Sequence, residues 1–198
     1  MENPAIDSEI KKNGLISGLI LGGALFVLSI FAFYFITSMT TSMLMIILGP
    51  LIFSVVIPLV LAVFLSLDMR KKIGGYWVLK QATTGIFIMF MVSYLLSAAL
   101  NWTYVKVIEP DMVGKMQTAM VNATASMLEK SGADQAKIDK QTADIEKKFE
   151  DQKNITIGKT LQSGLITTIL LFVVSLVFGA IMKKEPPLFD VIDEEPSL

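Results

Sequence analysis

Residues 13–67 read NGLISGLILGGALFVLSIFAFYFITSMTTSMLMIILGPLIFSVVIPLVLAVFLSL, without a single Asp, Glu, Lys or Arg. A hydrocarbon core about 30 Å thick takes about 20 apolar residues of helix per crossing, so this stretch is long enough for two. The polar string Ser38, Thr40, Thr41 and Ser42 marks the reversal between them. A connection that short makes an antiparallel hairpin. Two further charge-free stretches, Gln81 to Val105 and Thr160 to Met182, each suffice for one crossing. The expected fold is an all-α membrane protein with four transmembrane helices over residues 14–37, 43–67, 81–105 and 161–182. Residues 1–13 and 183–198 form the ends, 68–80 a basic loop and 106–160 a longer segment outside the bilayer. The first run is longer than a signal-peptide core and lacks an A-x-A cleavage pattern, so it is read as a retained helix. Gly49, Pro50 and Pro58 fall inside the second span. An internal proline removes one ladder hydrogen bond, so a bend is expected near Pro58.

Composition narrows the chemistry. With 198 residues, 53% of them hydrophobic, and a mean hydropathy of +0.62, the chain is too apolar for an ordinary soluble domain and short for a large transporter. It has no Cys and no His, which removes thiol nucleophiles, disulfides, imidazole acid–base catalysis and the usual zinc or haem ligands. No cofactor is expected. A net charge of -1 suggests no nucleic-acid partner.

Orientation follows from lysine and arginine. Arg70, Lys71, Lys72 and Lys80 cluster after the second span, and Lys11, Lys12, Lys183 and Lys184 flank the chain ends on the same side. Cytoplasmic loops retain such residues, so both ends are expected in the cytoplasm and residues 106–160 on the outer side. Aromatic residues fit this frame. Tyr34, Trp102 and Tyr104 lie near outer helix ends and Tyr76 and Trp77 near an inner one, where amphipathic rings settle, while Tyr94 alone sits mid-membrane. Arg70, Lys71 and Lys72 could also attract anionic lipid heads, but a topology signal accounts for them.

The outer segment reads as an amphipathic helical hairpin. Asp111 stands at a cap position, and Val113, Met116, Met120, Ala123 and Met127 recur at steps of three and four. Ser131 and Gly132 break the pattern. A second helix from Asp134 carries Ile138, Thr142, Ile145 and Phe149 on one seam and Lys140, Asp144 and Lys148 on another face. Isolated helices of this length are marginal in water, so the seams are expected to be buried against each other, a second copy or another membrane protein.

In the first span Gly14, Gly18 and Gly22 fall four apart, with Gly23 beside them. Such a stripe lets a neighbouring backbone approach closely, within the bundle or between copies. Met112, Met116 and Met120 share a face at the same spacing. Thioethers suit Cu(I), yet methionine equally fills irregular apolar seams, and with no Cys or His beside them packing is the plainer reading. Carriers place ionisable groups in the membrane. Here the later spans hold no Asp, Glu, Lys or Arg, and helix-to-helix or helix-to-backbone hydrogen bonds account for polar residues such as Thr83, Thr84, Ser93, Ser97, Asn101, Thr167 and Thr168. The sequons at Asn101, Asn122 and Asn154 matter only in a glycosylating host. Asp193, Glu194 and Glu195, after Pro186 and Pro187, read as a solvated tail.

Several of these features form a familiar set: the Gly-rich first helix, the basic loop ending Gly74, Gly75 and Tyr76, the sequence Ile108, Glu109, Pro110 and Asp111 opening the outer segment, and the closing helix ending Lys183, Lys184. Across nearly the whole chain this arrangement resembles the domain-of-unknown-function 4199 family of small membrane proteins, found mainly in Bacteroidota. The resemblance implies an inner-membrane protein and brings no functional residue with it. The expectation is an accessory or assembly component that works by association, with Gly14, Gly18 and Gly22 packing helices. Val113, Met116, Met120, Met127, Ile138, Ile145 and Phe149 would form the outer seam. The alternative is a small passive transporter or channel-like oligomer. An enzyme is not expected, because its site would rest on outer carboxylates and lysines alone.

Overall fold

The computed structural model describes residues 4–153 and 157–185, so the Asn154 sequon, Pro186, Pro187 and the acidic residues Asp193, Glu194 and Glu195 lie outside the described residues. Helix α1 covers Pro4–Tyr34 and ends in a wide π-helical turn over Phe35–Met39. Next come α2 (Met43–Leu51), a second π-helical turn (Ile52–Val56) and α3 (Ile57–Lys72) in one continuous rod. Then follow α4 (Leu79–Val107), α5 (Met112–Lys130), α6 (Gln135–Lys153) and α7 (Ile157–Met182). Four stretches are long and apolar enough to cross a membrane: Ala5–Met39, Met43–Lys72, Leu79–Val107 and Leu161–Met182. The protein is a multi-pass membrane protein by this measure.

The spans lie in a row. Helix α4 is the centre, pairing with α1 along its length on one side and with α7 on the other, while α3 and its π-turn lean on α1 and barely reach α4. The core between them holds Leu21, Ala62, Met69, Ala82, Ile86 and Met89, closed from α7 by Leu171 and Phe178. Helix α1 begins well before the charge-free run because tertiary packing extends it. Ile10 and Asn13 are buried, Ile10 against Gly85 of α4. The expected bend near Pro58 takes the form of the π-turn just ahead of it, where a residue without an N–H interrupts the ladder.

At the end of the bundle opposite the chain termini, α5 and α6 pack on each other around a turn at Gly132, whose φ of 74° suits glycine. Asp134 starts α6 by accepting from the Lys137 backbone N–H at 3.0 Å. Asp111 occupies the corresponding place on α5 but makes no capping hydrogen bond with its side chain.

Candidate functional site

The glycine stripe is covered from within the chain. A β-carbon built on Gly14 would come 2.9 Å from the Gly85 carbonyl oxygen, one on Gly18 2.8 Å from the Met89 oxygen, and one on Gly22 3.0 Å from the Ser93 oxygen. All three contacts are with α4, so α1 and α4 meet backbone to backbone. Gly23 faces nothing within 4 Å. Further along the same pair, Ser29 Oγ lies 2.7 Å from Asn101 Oδ1, and Asn101 Nδ2 donates to the Ser97 carbonyl at 2.8 Å. Asn101 is thereby part of the α1–α4 contact. Tyr34 and Tyr104 close it, their hydroxyls 3.1 Å apart.

Methionines attach the α5–α6 pair to the bundle. Ile36, Ile46 and Ala123 form a buried cluster against which Met43, Met116, Ala119 and Met120 pack, so α5 is seated on the ends of α1 and α2. The Thr124 hydroxyl points at the Met43 sulfur, 3.8 Å away. Val113 is partly buried, whereas Met127 is turned out, 44% exposed, and its neighbour Leu128 is buried in its place. On α6 Ile138 is buried and Ile145 and Phe149 are half-buried, while Lys140, Asp144 and Lys148 are exposed. The seam residues therefore divide between two tasks. Met116 and Met120 anchor α5 to the spans, and those of α6 lie within the α5–α6 pair.

A polar cleft of about 420 Å³ opens between the end of α1 and α5, lined by Tyr34, Thr37, Asp111, Lys115, Thr118 and Asn122. Lys115 reaches the Glu109 carboxylate at 2.8 Å, and this hydrogen bond holds its ammonium above the ordinary lysine range. Among the described residues no three carboxylates converge on a point that could hold a metal ion.

The opposite end carries a clasp that sequence reasoning missed. After α3, Gly74 and Gly75 turn the chain at φ 98° and 86°. Trp77 then pairs with Lys184 in an antiparallel bridge, N to O at 2.9 Å and O to N at 3.1 Å. The Trp77 indole N–H donates to the Met182 carbonyl at 2.8 Å, and Arg70 Nη1 donates to the same oxygen at 3.2 Å. That carbonyl is one of those a helix leaves without an internal partner, and a guanidinium there also meets the negative end of the α7 dipole. Lys184 Nζ sits over the Tyr76 ring, 5.1 Å from its centre. Trp77 is only 1% exposed, so it is a core residue and not the headgroup-level ring its position suggested. Of the rings expected at the interfaces, Tyr34, Tyr76 and Trp102 are exposed. The signal in the sequence was the conjunction of Arg70, the glycine pair and Trp77, but its target lies more than a hundred residues downstream.

No curated protein and no solved structure matches the chain. A family model does, described as "Protein of unknown function (DUF4199)", over residues 16–184. That range takes in the first span from residue 16, the three later spans, the glycine stripe from Gly18 onward, the α5–α6 pair and the clasp up to Lys184, so the chain belongs to the DUF4199 family.

Proposed function

We propose that this protein is a bacterial inner-membrane protein with both ends in the cytoplasm and the α5–α6 pair outside. It acts by association with another membrane protein or a second copy, as an accessory or assembly component without catalytic activity. The observation that carries the reading is the seating of α5 on α1 and α2 through Met116, Met120 and Ala123. It turns α6 from a tethered segment into a platform at a set height, presenting Lys140, Asp144 and Lys148 to solvent. Charged rows of alternating sign discriminate between partners more than they add affinity. The glycine stripe drops out as an association surface because α4 occupies it.

Two experiments test this. A reporter active only outside the cytoplasm is expected to report when inserted at Gly132 and to stay silent after Leu198; the opposite pattern reverses the topology. A tagged copy drawn from native membranes in mild detergent is expected to carry a stoichiometric second protein or a second copy, with release on reversing the charges of Lys140, Asp144 and Lys148. A bare monomer ends the association reading. A homo-oligomer whose liposomes leak a defined solute would replace it with passive transport.

A further inference from the structure

Between the α3 side and α7 the row of spans is open, and a cleft of about 370 Å³ lies there, within the range of small-molecule pockets, about 300–1,000 Å³. Its walls come from all four spans: Leu21 and Leu25 of α1, Ser54 and Pro58 at the π-turn, Tyr94 of α4 and Phe178 of α7. Every lining element is a membrane span, so the cleft belongs to the lipid-bathed part of the protein. Its three serines present no free donors. Ser54 donates to the Pro50 carbonyl, Ser93 to that of Phe90 at 2.9 Å and Ser97 to that of Tyr94 at 3.2 Å. Phe90 and Phe178 line it edge to face, 5.4 Å between centres with their ring planes at 80°.

One group breaks the pattern. The Tyr94 hydroxyl has no hydrogen-bond partner among the described residues. Tyr94 lies at the midpoint of α4, about 20 Å of helix from either end at 1.5 Å per residue, the depth at which water is scarcest. A hydroxyl without a partner in hydrocarbon costs on the order of several kcal/mol. The candidate occupants differ in whether they relieve it. A saturated acyl chain has no acceptor for it.

We propose that this cleft binds a lipophilic carbonyl compound, an apolar body whose carbonyl oxygen accepts the Tyr94 hydroxyl proton in a hydrogen bond. The apolar body would lie among Leu21, Leu25, Pro58, Phe90 and Phe178. The site is independent of how the α5–α6 end is used.

The test uses the full chain in nanodiscs, with tritiated 2-decyl-1,4-benzoquinone as probe and decylbenzene as its carbonyl-free counterpart. The native protein is expected to hold about one equivalent of quinone. Tyr94→Phe, which removes only the hydroxyl, is expected to weaken quinone binding about tenfold, the scale of one net hydrogen bond, and to leave decylbenzene unchanged. Val55→Trp fills the cleft from a position that is 56% exposed, and is expected to abolish both without unfolding the core. Equal quinone binding by the native protein and Tyr94→Phe overturns the proposal. Decylbenzene competing as well as the quinone overturns it in favour of a plain acyl-chain groove, and a dimer that Val55→Trp dissociates assigns the cleft to a second copy.

Discussion

Gly18→Ala and Gly23→Ala place the same methyl group five residues apart on one helix, and their effects on stability are expected to have opposite signs. At Gly18 the new β-carbon would meet Val92 Cβ at 2.7 Å and the Met89 carbonyl oxygen at 2.8 Å, distances that real β-carbons do not show. Neither atom is the free end of a flexible side chain. Relief requires α1 to move away from α4, and that seam is the longest helix contact in the protein. Overpacking in a tight core costs about 1–3 kcal/mol, and alanine is expected at the upper end of that range, leucine beyond it. At Gly23 nothing lies within 4 Å. There the exchange only restrains the helix, expected to stabilise by about 0.5–1 kcal/mol. Thermal unfolding of purified protein in one detergent, followed by loss of the monodisperse peak, checks both. If Gly18→Leu accumulated, purified and melted like the native protein, the α1–α4 seam would be wrong.

Trp77→Ala is expected to be the most damaging change at the terminal end of the bundle. It empties a large buried volume in the main core and removes the indole donor from the Met182 carbonyl. Buried Trp→Ala changes cost about 3–5 kcal/mol, and at roughly 2–4 °C per kcal/mol for a chain of this size the midpoint should fall by about 6–20 °C. Trp77→Phe separates the two contributions. It keeps most of the apolar contact and loses the hydrogen bond, for an expected cost of about 1 kcal/mol plus the unfilled space. Arg70 donates to the same oxygen, so Arg70→Met combined with Trp77→Phe should cost more than the two singly, because the last partner of that carbonyl goes only in the double variant. Additive effects would show that the two donors do not share an acceptor in the folded protein.

Much of the architecture was open to reading from residues 13–67 and the two later charge-free runs, because a bilayer admits few solutions. An apolar stretch of sufficient length must satisfy its own backbone groups, and only a helix does so within one segment. Length and charge therefore pointed directly to four spans, and Ser131 and Gly132 to the break between α5 and α6. The spacing of Gly14, Gly18 and Gly22 likewise pointed to close approach of a second backbone. It could not say which backbone, since the same stripe serves a neighbour in the chain or in another copy; contact with Gly85, Met89 and Ser93 decided for α4. The apolar seam of α5 was visible by its period, but a period marks a face and not its partner. Met116 and Met120 turned toward α1 and α2, Met127 turned out and Leu128 took the buried place. Trp77 shows the limit most clearly. Next to a basic loop at a helix start it has the local signature of an interfacial ring, and only the arrival of Met182 and Lys184 from the far end of the chain makes it a buried donor. Local constraints such as span length, turn chemistry and helix period act through neighbours in sequence and can be read from it. Which faces meet depends on how the spans are ordered in the membrane, and that order, α3 beside α1, α1 beside α4, α4 beside α7, exists only in the assembled bundle.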